Sequence, residues 1–152
     1  MEFALTLEQR QFDDSLRAFL KDMLPMERLR ALAQTADGFD QAIWDGAAAL
    51  GLHGLLVPER FGGAGLEVLD AAVAAEALGY AAAPLPFAAS IVMAALGIAA
   101  SGTESQQDEY LPAIAAGEAR FSVAFAGQAG QTGSAAARFE NGALTGKLSA
   151  VI

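Results

Sequence analysis

Between Glu76 and Glu104 the chain carries no charged residue, and this stretch limits the folds open to it more than any short motif does. An uncharged run of that length belongs either inside a protein core or across the ~30 Å hydrocarbon layer of a membrane. Pro84 and Pro86 interrupt it, much of it is alanine, and its flanks are acidic without Lys or Arg. Membrane spans are more strongly apolar and anchored by basic and aromatic residues, so the run reads as a buried core helix. Pro86 suits the first turn of that helix, where a missing N–H costs nothing. Phe87, Ile91, Met93 and Leu96 fall on several of its faces, which predicts a helix surrounded by protein.

The segments on either side also read as helices. Thr6 and Gln9 have the spacing of a capping box, and Phe12, Leu16, Phe19, Leu20 and Met23 then build one apolar stripe. Pro25 ends that helix by pushing its predecessor out of the α region. A second helix begins after Asp40 with Ile43, Trp44, Ala47 and Leu50 inward, and Gly51 stops it. The glycines and proline between Leu52 and Gly65 predict an ordered loop. A third helix spans about Val68 to Ala82, and the run from Pro86 makes the fourth. A fifth runs from Thr103, paired with Gln106, to Gly117, with Pro112 placed to kink or break it.

After Glu118 the pattern changes. Phe121, Val123 and Phe125 alternate with small residues as in a half-buried strand, and residues 127–134 form a Gly/Gln/Ser-rich loop. The segment 135–152 reads as a hairpin about Glu140-Asn141-Gly142, Asn-Gly being the strongest signal. A sheet of two or three strands is barely stable alone, so a β domain cut short is expected. The fold class is therefore mainly α: a helical bundle domain over residues 1–117, followed by the beginning of a β domain over 118–152.

Composition narrows the chemistry. Hydrophobic residues make up 54% and charged residues 18%, which excludes a solvated, disordered chain. Eighteen acidic against nine basic residues give a net charge of −9. With no Lys/Arg cluster to displace phosphate counterions, nucleic-acid binding is set aside. The absence of cysteine removes disulfides, thiolate catalysis and Cys-ligated metals. The start of the chain lacks the basic and apolar regions of a signal peptide, and a cytoplasmic protein is expected.

His53, the single histidine, reads as structural in its Leu-rich turn, and no metal-ligand spacing surrounds it. Glu76, on an apolar helix, calls for a partner or a raised pKa, with Arg60 or Arg28 as candidates. Trp44 reads as core. Gly62-Gly63-Ala64-Gly65 lacks the spacing and the lysine of a phosphate cradle and reads as a tight turn. The residues alone assemble no complete active site, and the catalytic residues stay unknown.

The order of segments adds a resemblance. Leu7-Glu8-Gln9-Arg10-Gln11-Phe12, then Trp44 ahead of the GLxGLLVPExFGGxG stretch from Gly51 to Gly65, then Ala75-Glu76-Ala77-Leu78-Gly79, and later the run from Tyr110 to Glu118 closely resemble an acyl-CoA dehydrogenase. The resemblance implies a helical domain, a middle β domain and a C-terminal helical domain that these residues do not include. It implies FAD as cofactor and an acyl-CoA thioester as substrate, with an electron-transferring flavoprotein taking the electrons and a homo- or hetero-oligomeric assembly. A glutamate of the C-terminal domain takes the α proton in most of the family, so no residue here corresponds to it, and the chain alone should be inactive.

By position, the resemblance assigns flavin contacts to Val123, Phe125, Ala126, Thr132 and Ser134. It assigns the acyl-tail wall to Phe87, Ser90, Ile91 and Ala94, for which helix packing is the equal alternative. Two departures stand out: Ala126 replaces a threonine, and Ala150 replaces a tryptophan of the Trp-Ile-Thr motif, an aromatic surface beside the flavin. They favour a second reading, a flavin-poor or structural subunit of a heteromeric dehydrogenase. A third keeps the scaffold for a flavin monooxygenase or oxidase, and a pure acyl-CoA-binding module is more remote.

Overall fold

A computed structural model describes residues 4–124 and 137–146. Its helical part runs α1 (Leu7–Met23), α2 (Met26–Leu32), α3 (Gln41–Ala49), two 3-10 turns (Leu52–Gly54 and Glu59–Phe61), α4 (Val68–Tyr80), a π-helical segment (Phe87–Ala94), α5 (Ala95–Ser101) and α6 (Glu104–Ala115). A two-stranded antiparallel sheet, β1 (Ala137–Glu140) and β2 (Ala143–Gly146), follows.

Side-chain caps set where the helices begin. The Gln9 N–H donates to Thr6 Oγ1 at 3.2 Å and the Thr6 N–H to Gln9 Oε1 at 3.0 Å. The Gln9 amide also donates to Asp70 Oδ1 at 2.9 Å, while Asp70 Oδ2 accepts the Glu67 N–H at the head of α4. One polar chain thus joins the starts of α1 and α4, satisfying donors that a helix N-terminus leaves open. Glu76 lies on the outer face of α4, and its ion-pair partner is Arg17 at 3.4 Å rather than Arg60 or Arg28. The Arg17 guanidinium is held above its usual pKa, first by its hydrogen bond to Asp13.

Helix α2 has no counterpart in the sequence reading, because seven residues that bury no side chain leave no apolar period. Its Arg28 joins three elements. It donates to the Met23 carbonyl at 3.1 Å and to Asp40 Oδ2 at 2.6 Å, and Asp40 caps α3 by accepting from Ala42 and Ile43. That hydrogen bond from Arg28 is the main cause holding the Asp40 carboxyl below the usual carboxylate range.

Two apolar clusters fill the interior. The larger gathers Leu16 and Leu20 of α1, Ile43 and Trp44 of α3, Leu52, Leu78 of α4, and Phe87 and Ile91 of the π segment. The smaller holds Val57, Ala94, Ala95, Leu111 and Ile114, with Phe121 and Val123 packed against it.

Two expectations need correction and one is narrowed. Helix α6 passes through Pro112 without breaking: buried Leu111 and Ile114 anchor its last turns, and Asp108, whose carbonyl proline cannot engage, is exposed. The helix after Pro86 is not a plain α-helix, since Phe87–Ala94 are π-helical, and Leu96 beyond them is exposed. Residues 121–124 are not paired as a strand among the described residues, although Phe121 and Val123 do face the core as their alternation predicts.

The hairpin agrees with its sequence signal. Asn141 and Gly142 take φ of 52° and 78°, the left-handed pair that a two-residue turn of this kind requires, and Glu140 pairs with Ala143. No helix among the described residues is long and apolar enough to cross a membrane.

Candidate functional site

The Gly-rich stretch folds back on itself. The N–H groups of Ala64, Gly65 and Leu66 donate to the carbonyls of Gly54, Val57 and Leu55 at 2.8, 2.9 and 2.8 Å. Those of Gly62 and Gly63 go to Glu59 and Pro58. All five donors that could have cradled a phosphate are spent internally, so this turn is a structural clasp. A Cβ on Gly63 would collide with the Val57 carbonyl oxygen, which makes glycine a steric requirement there.

Beside the clasp, Trp44 and His53 stack with ring centroids 4.0 Å apart. Trp44 Nε1 donates to the Gly117 carbonyl at 2.7 Å. His53 is fully buried, and neither ring nitrogen has a hydrogen-bond partner. Burial pushes its pKa down to about 4 against a weak opposing pull from Asp45, so it is neutral near neutral pH and packs as a core ring. Among the described residues no cluster of His, Asp or Glu is arranged for a metal. Gly117 completes the fit: its φ is +74°, and a Cβ there would press on His53 Nδ1.

From Gly117 onward the chain leaves the helical unit under a series of pins. The N–H groups of Glu118 and Ala119 both reach the Ala113 carbonyl. The Arg120 guanidinium lies 4.1 Å from the centroid of the Phe39 ring. The Phe121 ring meets Tyr110 edge-on at 5.6 Å, and the Phe121 N–H donates to Ser90 Oγ at 3.0 Å. Ser122, Val123 and Ala124 continue without a backbone partner among the described residues.

A family profile described as acyl-CoA dehydrogenase, N-terminal domain, matches residues 6–118. The chain belongs to the acyl-CoA dehydrogenase family. The acyl-CoA dehydrogenase FadE26 of Mycobacterium tuberculosis is 31% identical over 130 residues, covering 82% of this chain and 32% of that protein. The ChsE4-ChsE5 complex from the same organism superposes with a TM-score of 0.78 at 26% identity, covering 86% of this chain and 36% of that one. An acyl-CoA dehydrogenase complexed with FAD from Bacillus anthracis gives a TM-score of 0.71 at 28% identity, over 80% of this chain and 21% of that one. This chain spans about a third of the length of the curated relatives it matches.

In this member of the family the residues assigned to an acyl wall are all buried. Phe87 and Ile91 belong to the larger cluster and Ala94 to the smaller, while the Ser90 hydroxyl is turned to Phe121. Two apolar grooves, of about 420 Å³ between α1, α2 and α4 and about 470 Å³ where α1 and α4 begin, are lined by other residues. Val123 sends its side chain to the smaller cluster, which leaves only its backbone for a cofactor. Phe125, Ala126, Thr132, Ser134 and Ala150 lie outside the described residues. The sequence reading missed the contacts of Trp44 and Ser90 with the exit segment, because partners 73 and 31 positions away leave no periodic signal.

Proposed function

We propose that this chain is the amino-terminal part of an FAD-dependent acyl-CoA dehydrogenase subunit that removes the α and β hydrogens of an acyl-CoA thioester. The observation that carries the reading is the junction at Gly117–Ala124. There Trp44 and the π segment meet the stretch that precedes the proposed flavin motif. The domain boundary falls near residue 117, with the helical unit before it and the middle β domain after it.

In this reading the π segment walls the acyl tail with Phe87, Ser90, Ile91 and Ala94. The backbone of Val123 and Phe125, with Ala126, Thr132 and Ser134, holds the flavin. Ser122–Ala124 have no backbone partner among the described residues, which is compatible with that assignment. Bound FAD supplies the hydride acceptor, a capacity no side chain has. The apolar helix face keeps water from the reacting carbons. The π segment carries no carboxylate, and the α-proton acceptor is assigned to the domain that follows the middle one. Electrons pass to an electron-transferring flavoprotein, and the subunit works as an oligomer.

A second reading is favoured by Ala126 and Ala150, which remove a hydroxyl and an indole from the flavin's surroundings. In it this subunit is flavin-poor and shapes the acyl pocket of a different subunit, an arrangement that the ChsE4-ChsE5 complex makes plausible. Titrating FAD into the subunit that carries these residues separates the two. Retained flavin near one per subunit supports the first reading; a colourless protein that gains flavin only with a second subunit supports the other.

A further inference from the structure

We propose that Ser90 is a positioning residue: by holding the Phe121 N–H, its buried hydroxyl sets where the chain leaves the helical unit and how the segment from Val123 is presented. The inference rests on the proposed flavin role of that segment. Ser90 and His53 are the buried polar side chains among the described residues, and Ser90 is the one whose polar atom joins the exit segment. Its surroundings call for alanine. Ala89, Ala94 and Ala95 fill the adjoining buried positions, and a hydroxyl taken from water into such a place costs free energy unless it is hydrogen-bonded. Accepting the Phe121 N–H offsets that cost for both groups at once.

The backbone around Ser90 supports the same assignment. Eight consecutive π-helical residues are rare, and π turns concentrate at functional sites. Of the contacts that pin residues 117–121, those from Trp44 and Ala113 act at Gly117, Glu118 and Ala119, while those of Phe39 with Arg120 and Tyr110 with Phe121 engage side chains rather than backbone. The hydrogen bond from Phe121 to Ser90 lies two residues before Val123, so an error there passes directly into the following backbone. It also ties that backbone to the helix whose face is proposed to wall the acyl tail.

The test compares the full subunit with its Ser90→Ala and Ser90→Cys variants, cysteine filling the space with a weak acceptor. FAD affinity is measured by flavin fluorescence, and hydrogen exchange is followed at the Phe121 amide and in α1, α3 and α6. In both variants the Phe121 amide should exchange about tenfold faster and FAD should bind about tenfold more weakly, with the helical amides unchanged. A Phe121 amide as protected as in the wild type would overturn the inference. So would unaltered FAD affinity in variants of a wild type that binds FAD. Wild-type protein that binds no FAD would instead count against the proposed function, and the exchange data would still decide whether Ser90 holds the segment.

Discussion

The helical unit and the hairpin solve the same problem of backbone satisfaction in opposite ways. Between Gly54 and Leu66 every turn donor named above finds a carbonyl within the unit, and the surrounding side chains pack into the two apolar clusters. Among the described residues the hairpin's four-residue strands pair with each other, and Phe139 and Leu144 are each 71% exposed. Its turn is well specified, yet residues 139–146 are all exposed, and a two-stranded ribbon by itself is marginal in water. Local turn chemistry can thus fix a conformation without supplying stability, whereas the clasp has both because it is built into a core.

Substitutions and pH can break or sharpen that contrast. Gly63→Ala should have the largest effect: the new Cβ must push the Val57 carbonyl away, opening the clasp at a cost of about 3 kcal/mol or more in denaturant unfolding. The next effect is pH dependence. His53 titrates at 6.5 when unfolded and about 4 when folded, so the unfolded chain takes up the proton first as pH falls. Stability contributed by neutral His53 is complete above pH 6.5 and declines between 6.5 and 4, by roughly 2–3 kcal/mol. The loss from Asp40, whose pKa is lowered from 3.8, comes only at more acid pH. Thermal melts of His53→Phe should therefore be flat across the upper window where the wild type slopes.

Trp44→Phe keeps an aromatic ring but removes the donor to Gly117, and should cost about 1 kcal/mol. Hydrogen exchange should rise at residues 117–121 in that variant before it rises in α1. At the other end of the scale, Leu144→Ala in the hairpin should change the unfolding free energy by less than about 0.5 kcal/mol. A cost above 2 kcal/mol would erase the distinction between the two regions, because it would mean that Leu144 is covered.

Much of this architecture could be read from residue order. The capping pairs Thr6/Gln9 and Thr103/Gln106, the stripe of α1 and the Asn141-Gly142 turn are short-range signals, and the structure forms each one. Features decided by distant partners could not be read in this way. Glu76 meets Arg17 across 59 positions, a pairing no local spacing indicates. Pro112 survives within α6 because tertiary packing outweighs one lost hydrogen bond. The π winding of Phe87–Ala94 leaves no trace in an almost uniformly apolar sequence. For the candidate site, the family motifs pointed to the stretch around Val123, while the role of Ser90 in holding it depends on a contact only the fold creates.

The proposed function of these residues is the oxidation of an acyl-CoA by bound flavin. Its most direct test is the anaerobic addition of a saturated acyl-CoA to the FAD-loaded subunit that carries them. The visible flavin band should bleach and the α,β-unsaturated thioester should appear in equal amount. A flavin that stays oxidised with saturating acyl-CoA, but is reduced by a different class of donor, would contradict it.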